Sequence, residues 1–231
     1  MKGNKDVMRN VVLWSGGLDS TMMVHDLSED ATEKNPLYTI TIDGFPQICN
    51  LLLKKQKEAR KNFIKRFKLK KKIKRLSITV SITGDNDSFY IHQSDGLPQP
   101  VIWLGGLINF IQNDDTIYMA YICGDDFWHY REHFVSSFQS LLKIKNVRAN
   151  LEFPYEFNRK SGILNKAKQK KIPKTNYWYC ESPKESKRSG KLIPCRKCGC
   201  CIAHRLAECE LEFSKEKYTK LKLESDCIEG S

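Results

Sequence analysis

The chain has no long hydrophobic run. Its longest mostly apolar stretch, Val101 to Ile111, contains two glycines and an asparagine, well short of the roughly 18 to 20 apolar residues that cross a bilayer. No transmembrane span and no membrane partner are expected. Met1 to Trp14 holds only four apolar residues in a row, Val11 to Trp14, too few for the roughly 7 to 15 of a signal-peptide core. A cytoplasmic protein is expected. There is no internal repeat, and His25, His92, His133 and His204 show no ligand spacing to one another, so no chemistry is assigned to them.

What is present argues for a folded protein. At 40% hydrophobic and 29% charged, the 231 residues are too apolar for a disordered tail and long enough to bury a substantial core, in one large or two small domains. The net charge of +12 predicts acidic partners, but it is uneven. Lys54 to Arg75 carries thirteen Lys or Arg and one acid, Glu58, while the remainder of the chain has 26 residues of each sign. Of nine cysteines, Cys180, Cys195, Cys198, Cys200, Cys201 and Cys209 fall within thirty residues. In a cytosolic chain, such a cluster points to metal ligation or catalysis more than to disulfides. Cys49, Cys123 and Cys227 stand apart and read as small buried hydrophobes or inert thiols.

The hydrophobic pattern alternates between two periods. Val7 to Trp14 reads as a strand, cut by Ser15-Gly16-Gly17 and followed by Leu18, Met22, Met23 and Leu27 at near-helical spacing. Leu37 to Ile42 is a second strand, ending in a loop at Asp43-Gly44. Ile48, Leu52, Ala59, Phe63 and Phe67 recur every three, four or seven residues, which predicts a long helix with a narrow apolar stripe and a lysine-rich outer face. That helix is expected to carry all of the charge excess, outside the Ser15 loop. Ile73 to Ile82 reads as a third strand, closed by the turn formers Thr83 to Ser88. A helix around Trp103 to Gln112, a strand from Thr116 to Cys123, a helix over Phe134 to Leu142, a strand from Val147 to Phe153 and a helix from Ser161 to Lys171 follow. Strand alternating with helix predicts an α/β fold, a doubly wound, mainly parallel sheet with helices on both faces. Any site should lie along the edge where the strands end.

Ser15-Gly16-Gly17-Leu18-Asp19-Ser20 lies between the first strand and its helix. There, free backbone N–H groups and the helix dipole favour a bound anion, and two glycines let the backbone approach a phosphate closely. The plain alternative is an ordinary strand-to-helix turn with Asp or Ser as N-cap. At average residue usage, chance places the five specified residues in about 3 of 10,000 chains of this length. The lysine of the GxxxxGK[ST] phosphoryl-transfer loop is missing. Further on, Cys195-x-x-Cys198-x-x-Cys201 makes two successive C-x₂-C steps, and Cys180 lies fifteen residues upstream. Four thiolates suit a closed, structural Zn²⁺ site. Cys200 is an alternative ligand, and reactive or merely buried thiols are the plain reading.

The loop resembles SGGxDS, the pyrophosphate loop of the N-type ATP pyrophosphatases (PP-loop superfamily), matched at all five specified positions. That resemblance implies an adenine nucleotide alpha hydrolase-like fold. It also implies that Ser15, Gly16, Gly17, Leu18, Asp19 and Ser20 bind ATP, with Mg²⁺ neutralising the leaving pyrophosphate. Loop and cysteines together resemble the 7-cyano-7-deazaguanine synthase (QueC-type) family. On that resemblance, residues 1–175 form the ATP domain and 176–231 a zinc segment packed on it. Pro154, Lys160, Pro173, Trp178 and Cys180 keep the family's separations from Lys to Pro to Trp to Cys. Lys160 and Asp19 would then be the catalytic residues, Lys160 stabilising charge on the α-phosphate. Asp19 needs no base function, since a carboxylate substrate is already a nucleophile. Arg131, with Phe134 and Phe138, fits the family's Arg-x-x-Phe-x-x-x-Phe.

The acceptor half departs from the family. The loop from Gly124 to Arg131 is about four residues shorter, Pro100-Val101-Ile102-Trp103 stands where the family has GRN, and DYGQxH is reduced to Asp43-Gly44 followed by Phe45. Asp125 and Asp126 are candidates for Mg²⁺ or a purine edge, or else form an acidic turn. Trp128 is a candidate base-stacking residue and Arg131 a further substrate contact.

The implied reaction is ATP-dependent adenylation of a 7-carboxy-7-deazaguanine-like acid. Ammonia would convert the adenylate to an amide and then, with a second ATP, a nitrile; another amine, including one on a protein, would give a stable amide. Two other classes remain: a tRNA-modifying enzyme of the same superfamily, and a non-catalytic zinc-stabilised adaptor. An acidic protein or a nucleic acid is the expected partner at Lys54 to Arg75, and a homodimer is compatible with the sequence.

Overall fold

The computed structural model describes residues 8–43, 50–79, 99–125 and 129–212. Five parallel strands form one sheet: β1 (Asn10–Leu13), β2 (Leu37–Asp43), β3 (Ile73–Thr79), β4 (Asp115–Tyr118) and β5 (Ala149–Glu152). Their order is β3-β2-β1-β4-β5. Helices α1 (Leu18–Ser28), α2 (Asn50–Arg66), α3 (Gln99–Leu107), α4 (Arg131–Lys145) and α5 (Lys160–Gln169) lie between and after the strands. A short antiparallel hairpin, β6 (Lys184–Glu185) with β7 (Leu192–Ile193), leads into α6 (Gly199–Leu211).

Alternation along β1 divides the core. Val12 and Trp14 face a cluster with Met22 and Met23 of α1, Phe63 of α2, Ile163 and Leu164 of α5 and Ala207 of α6. Val11 and Leu13 face the opposite cluster, with Leu104 and Leu107 of α3 and Phe134, Phe138 and Leu142 of α4. Side chains of successive strand residues point to opposite faces, so one apolar run supplies both layers. The doubly wound parallel architecture expected from the sequence is present. The chain proceeds outward from β1 to β3 and then returns to place β4 on the other side of β1. This reversal opens a crevice beyond the carboxyl ends of β1 and β4, where doubly wound sheets bind ligands.

Several boundaries differ from the sequence reading. The lysine-rich stretch is not one helix: α2 stops at Arg66, Lys68 takes φ +54°, a 3₁₀ turn covers Leu69–Lys71, and β3 begins at Ile73. Lys74 and Arg75 therefore belong to an edge strand. A left-handed lysine ends the helix where no glycine or asparagine announces a stop. β4 ends at Tyr118 rather than Cys123, and α3 spans Gln99–Leu107 rather than Trp103–Gln112. Cys123 is exposed, which overturns the buried-hydrophobe reading of it. Cys49, Cys227, the Val80–Ile82 end of the expected third strand, the Thr83–Ser88 turn and the Gly44 loop lie outside the described residues.

Candidate functional site

The loop after β1 is held from beneath. Trp14 is buried, and its indole Nε1 donates to Thr21 Oγ1 at 3.0 Å, fixing the strand end against α1. Ser15 Oγ accepts the Gly17 N–H at 3.1 Å and lies 3.0 Å from Ser20 Oγ. Gly16 takes φ +94°, a conformation that favours glycine. A Cβ on Gly16 would sit 3.0 Å from the Gln56 carbonyl oxygen and 3.3 Å from Arg60 Cγ. Arg60, 8% exposed, donates through Nη1 to the Ser15 carbonyl, and the Trp178 N–H donates to the Gly16 carbonyl at 2.8 Å. In a trans peptide, C=O and N–H point opposite ways. Holding the Ser15 carbonyl from α2 therefore aims the Gly16 N–H away from α2. Helix α1 starts at Leu18 with Gly17 as N-cap and no side-chain cap, which leaves its first-turn N–H groups for an anion. Leu18 contributes only backbone there, because its side chain is in the core.

The two residues expected to be catalytic meet at the start of α1. Lys160, the first residue of α5, forms an ion pair with Asp19 in the first turn of α1. The two side chains are 23% and 18% exposed. Burial alone would lower the Lys160 pKa, but the carboxylates of Asp19 and Asp125 outweigh it and hold the ammonium above the ordinary lysine range. Asp19 Oδ1 is buried without a hydrogen-bond partner, a free carboxylate oxygen of the hard type that Mg²⁺ takes. Asp125 caps its own turn, Oδ2 accepting the Ile122 N–H at 3.0 Å. Arg131, the first residue of α4, pairs with Glu156 at 2.6 Å and lies over the Phe153 ring; both partners belong to the connection from β5 to Lys160. Asp126 and Trp128 lie outside the described residues.

The cysteines form a second constellation beside the first. The sulfurs of Cys180, Cys195, Cys198 and Cys201 all lie within 4.8 Å of one another. Cys195 and Cys201 are 3.9 Å apart. Around one ion with bonds of about 2.3 Å, tetrahedral sulfurs stand about 3.8 Å apart, so the four fit a single Zn²⁺. A four-iron cluster interposes its own cube between the thiolates and would hold them further apart. Backbone N–H groups already point at sulfur: Cys195 to Cys180 Sγ at 3.2 Å, and Lys197 and Cys198 to Cys195 Sγ at 3.4 and 3.3 Å. Burial pushes the Cys195 thiol up, but the Lys197 and Cys198 N–H donors together with the Cys180 and Cys198 thiols overcome it and hold its pKa at about 7. Cys200, the alternative ligand, is not part of the group.

One short segment joins the two constellations. Trp178 donates its main-chain N–H to the loop and its Nε1 to the carbonyl of Cys180, at 2.7 Å, while Lys55 of α2 lies 5.5 Å over its ring. Tyr179 stacks on His204 of α6 with centroids 3.9 Å apart. His204 is fully buried, and burial lowers its pKa to about 4, keeping it neutral.

Arg60 and Lys55 are site residues that the sequence pattern hides, because the lysine run reads as an outer face. The available signal was position: Arg60 follows Ala59 and precedes Phe63 by three, at the margin of the apolar stripe. It therefore belongs to the side that packs.

No protein-family model matches this chain, and no curated protein matches it in sequence. Among solved structures it is similar to U34-tRNA thiolase NcsA from Methanococcus maripaludis with its [4Fe-4S] cluster, at 14% identity and a TM-score of 0.48, over 98% of this chain and 75% of that one.

Proposed function

We propose that this chain is an ATP-dependent adenylating enzyme that joins a carboxylic acid to an amine. The observation that carries the proposal is the Asp19–Lys160 pair in the first turn of a helix without a side-chain cap, whose preceding loop is held by Arg60 and Trp178. The Gly16 N–H and the N–H groups of the first turn of α1 cradle the β- and γ-phosphates. Asp19 Oδ1 would be the protein ligand of a Mg²⁺ ion, which would supply charge neutralisation at the leaving pyrophosphate. A substrate carboxylate oxygen attacks the α-phosphorus, the bond from that phosphorus to the bridging oxygen breaks, and pyrophosphate departs. Lys160, fully protonated, stabilises the charge that builds on the α-phosphate oxygens. An amine then attacks the acyl carbon, AMP leaves, and the amine proton passes to solvent.

The resemblance to QueC-type enzymes proposes a 7-carboxy-7-deazaguanine-like acid as substrate. Ammonia as acceptor leads through the amide to a nitrile with a second ATP, and a protein amine leads to a stable amide. Cys180, Cys195, Cys198 and Cys201 would together hold Zn²⁺ as a structural ion, which would fix the Trp178 segment and α6. The test is a reaction of purified protein with ATP, the deazapurine acid and either ammonium or cell extract, followed by mass spectrometry. AMP formation with an amide, nitrile or protein-conjugate mass is expected. ADP as the nucleotide product, or AMP without any new acyl product, would remove the proposal.

A further inference from the structure

Adenylation gives no role to the outer face of α2, opposite its buried residues. Helix α2 buries Leu52, Ala59 and Phe63, and on the opposite side Lys54, Lys57, Lys61 and Lys65 are all exposed. At a rise of 1.5 Å per residue, the stripe runs about 17 Å, with successive lysines about 5 to 6 Å apart along the axis. The helix's one acid, Glu58, binds Lys55 at 2.7 Å on the flank. Like charges at three- and four-residue spacing destabilise a helix, a cost that a polyanion laid along the stripe would offset. The face also widens beyond α2. Asn62 and Arg66 donate to the carbonyls of Thr175 and Lys171, each at 3.2 Å, which brings the exposed Lys168 and Lys171 alongside. On the other end, Lys68 and Lys70 continue the exposed charge to Lys74 and Arg75 on β3.

The partner's chemistry follows from what the face carries and what it does not. Protein interfaces are centred on aromatic or aliphatic anchors, and single-stranded nucleic acid is held on aromatic platforms. Among the described residues of α2, the 3₁₀ turn and β3, Leu51 at 39% is the one large hydrophobic that is exposed. What remains is a row of point charges at phosphate-like spacing.

We propose that α2 docks the phosphate backbone of a double-helical nucleic acid through Lys54, Lys57, Lys61 and Lys65, without reading its sequence. This goes beyond adenylation and does not rest on it. Arg60 and Lys55, on adjacent sides of the same helix, support the nucleotide loop and Trp178, so the docked duplex lies about one helix diameter, 10 to 12 Å, from the candidate active site.

The test is fluorescence anisotropy of the full chain with a 20-base-pair DNA duplex and an RNA duplex of the same sequence, each also in a shuffled sequence, across a KCl series. Four neutralised phosphates give a log–log salt slope of about −3.6 on B-DNA, a weakening of about 10²-fold from 50 to 200 mM. Shuffling should change affinity less than twofold. The variant with Lys54, Lys57, Lys61 and Lys65 each changed to Gln should flatten the slope by about 3 to 4. A control with Lys184, Lys187, Arg188 and Lys191, all exposed on the hairpin, each changed to Gln removes the same charge and should keep the slope. Circular dichroism checks that both fold. Equal loss in both variants, no salt-dependent binding, or displacement of the duplex by an equal charge concentration of polyglutamate would each overturn the proposal. None of these readouts involves ATP, so the failure of adenylation leaves the test intact.

Discussion

Gly16→Ala is the sharpest single perturbation of the nucleotide loop. Three constraints meet at that position. Its φ of +94° costs an alanine about 1 to 2 kcal/mol. The new Cβ would lie 3.0 Å from the Gln56 carbonyl oxygen, a backbone atom inside α2 that cannot swing aside, and 3.3 Å from Arg60 Cγ. The loop cannot retreat the other way without breaking the Trp178 N–H bond to the Gly16 carbonyl. Together these amount to about 2 to 3 kcal/mol. For a chain of this size that lowers Tm by about 4 to 12 °C. Relief of the clash by moving the loop displaces its N–H groups, so ATP affinity should fall at least tenfold, about 1.4 kcal/mol. Gly17→Ala is the comparison. Its backbone has φ −70°, and an added Cβ meets Ser15 Oγ at 3.3 Å and the Trp178 carbonyl oxygen at 3.9 Å, so without nucleotide it should cost no more than about 1 kcal/mol. Thermal melts by circular dichroism and calorimetric titration with ATP and Mg²⁺ read both quantities. A Gly16→Ala protein with unchanged Tm and ATP affinity, or one more stable than Gly17→Ala, would refute the reasoning.

Other outcomes follow from the same contacts. Trp178→Phe removes the Nε1 hydrogen bond to Cys180 and weakens the Lys55 contact, so stability should fall by about 1 to 2 kcal/mol and ATP should bind more weakly; an unchanged melt and titration would separate loop from metal site. Metal analysis should find about one zinc and no iron per chain, and Cys195→Ser should lose that zinc and lower Tm; iron in excess of zinc would contradict the single-ion geometry. Asp26 is the acid-sensitive point. Burial raises its pKa, but His25 3.7 Å away and hydrogen bonds from Tyr155 and Lys166 overcome that and bring it to about 2. A depressed carboxylate stabilises the fold above its ordinary pKa and loses that contribution as pH falls through the folded value. Acid unfolding should therefore set in as pH falls from about 4 toward 2, and Tyr155→Phe, which deletes a 2.6 Å bond to Asp26, should move it to higher pH. Lys160 has the opposite sign: its raised pKa keeps it charged until pH passes above the lysine range, so ATP affinity should show no lysine titration between pH 8 and 9.5.

What the sequence made legible is what repeats or is locally dense. Alternation in β1 and β2 and the glycine pair after Trp14 located the loop, and C-x₂-C spacing located four sulfurs that the fold brings within 4.8 Å. Lys160 and Asp19 are 141 residues apart, and their pairing emerged from a family resemblance rather than from any local pattern. The β6–β7 hairpin and α6 went unread because the buried stripe of α6 is made of Cys201, Ile202, His204, Ala207 and Cys209, residues that look like ligands and fillers rather than core. Arg60 was hidden by its neighbours: one arginine among thirteen basic residues draws no notice, although its i, i+3 relation to Phe63 puts it on the packed side. The end of α2 was invisible for a different reason, since Lys68 adopts a left-handed turn that lysine does not advertise.

The most direct test of adenylation is exchange of labelled pyrophosphate into ATP. Exchange should require a deazapurine carboxylic acid and Mg²⁺, and it should be lost in Asp19→Asn and Lys160→Met proteins with unchanged circular dichroism. Release of inorganic phosphate and ADP without pyrophosphate exchange, or undiminished exchange in both variants, would contradict adenylation at this site.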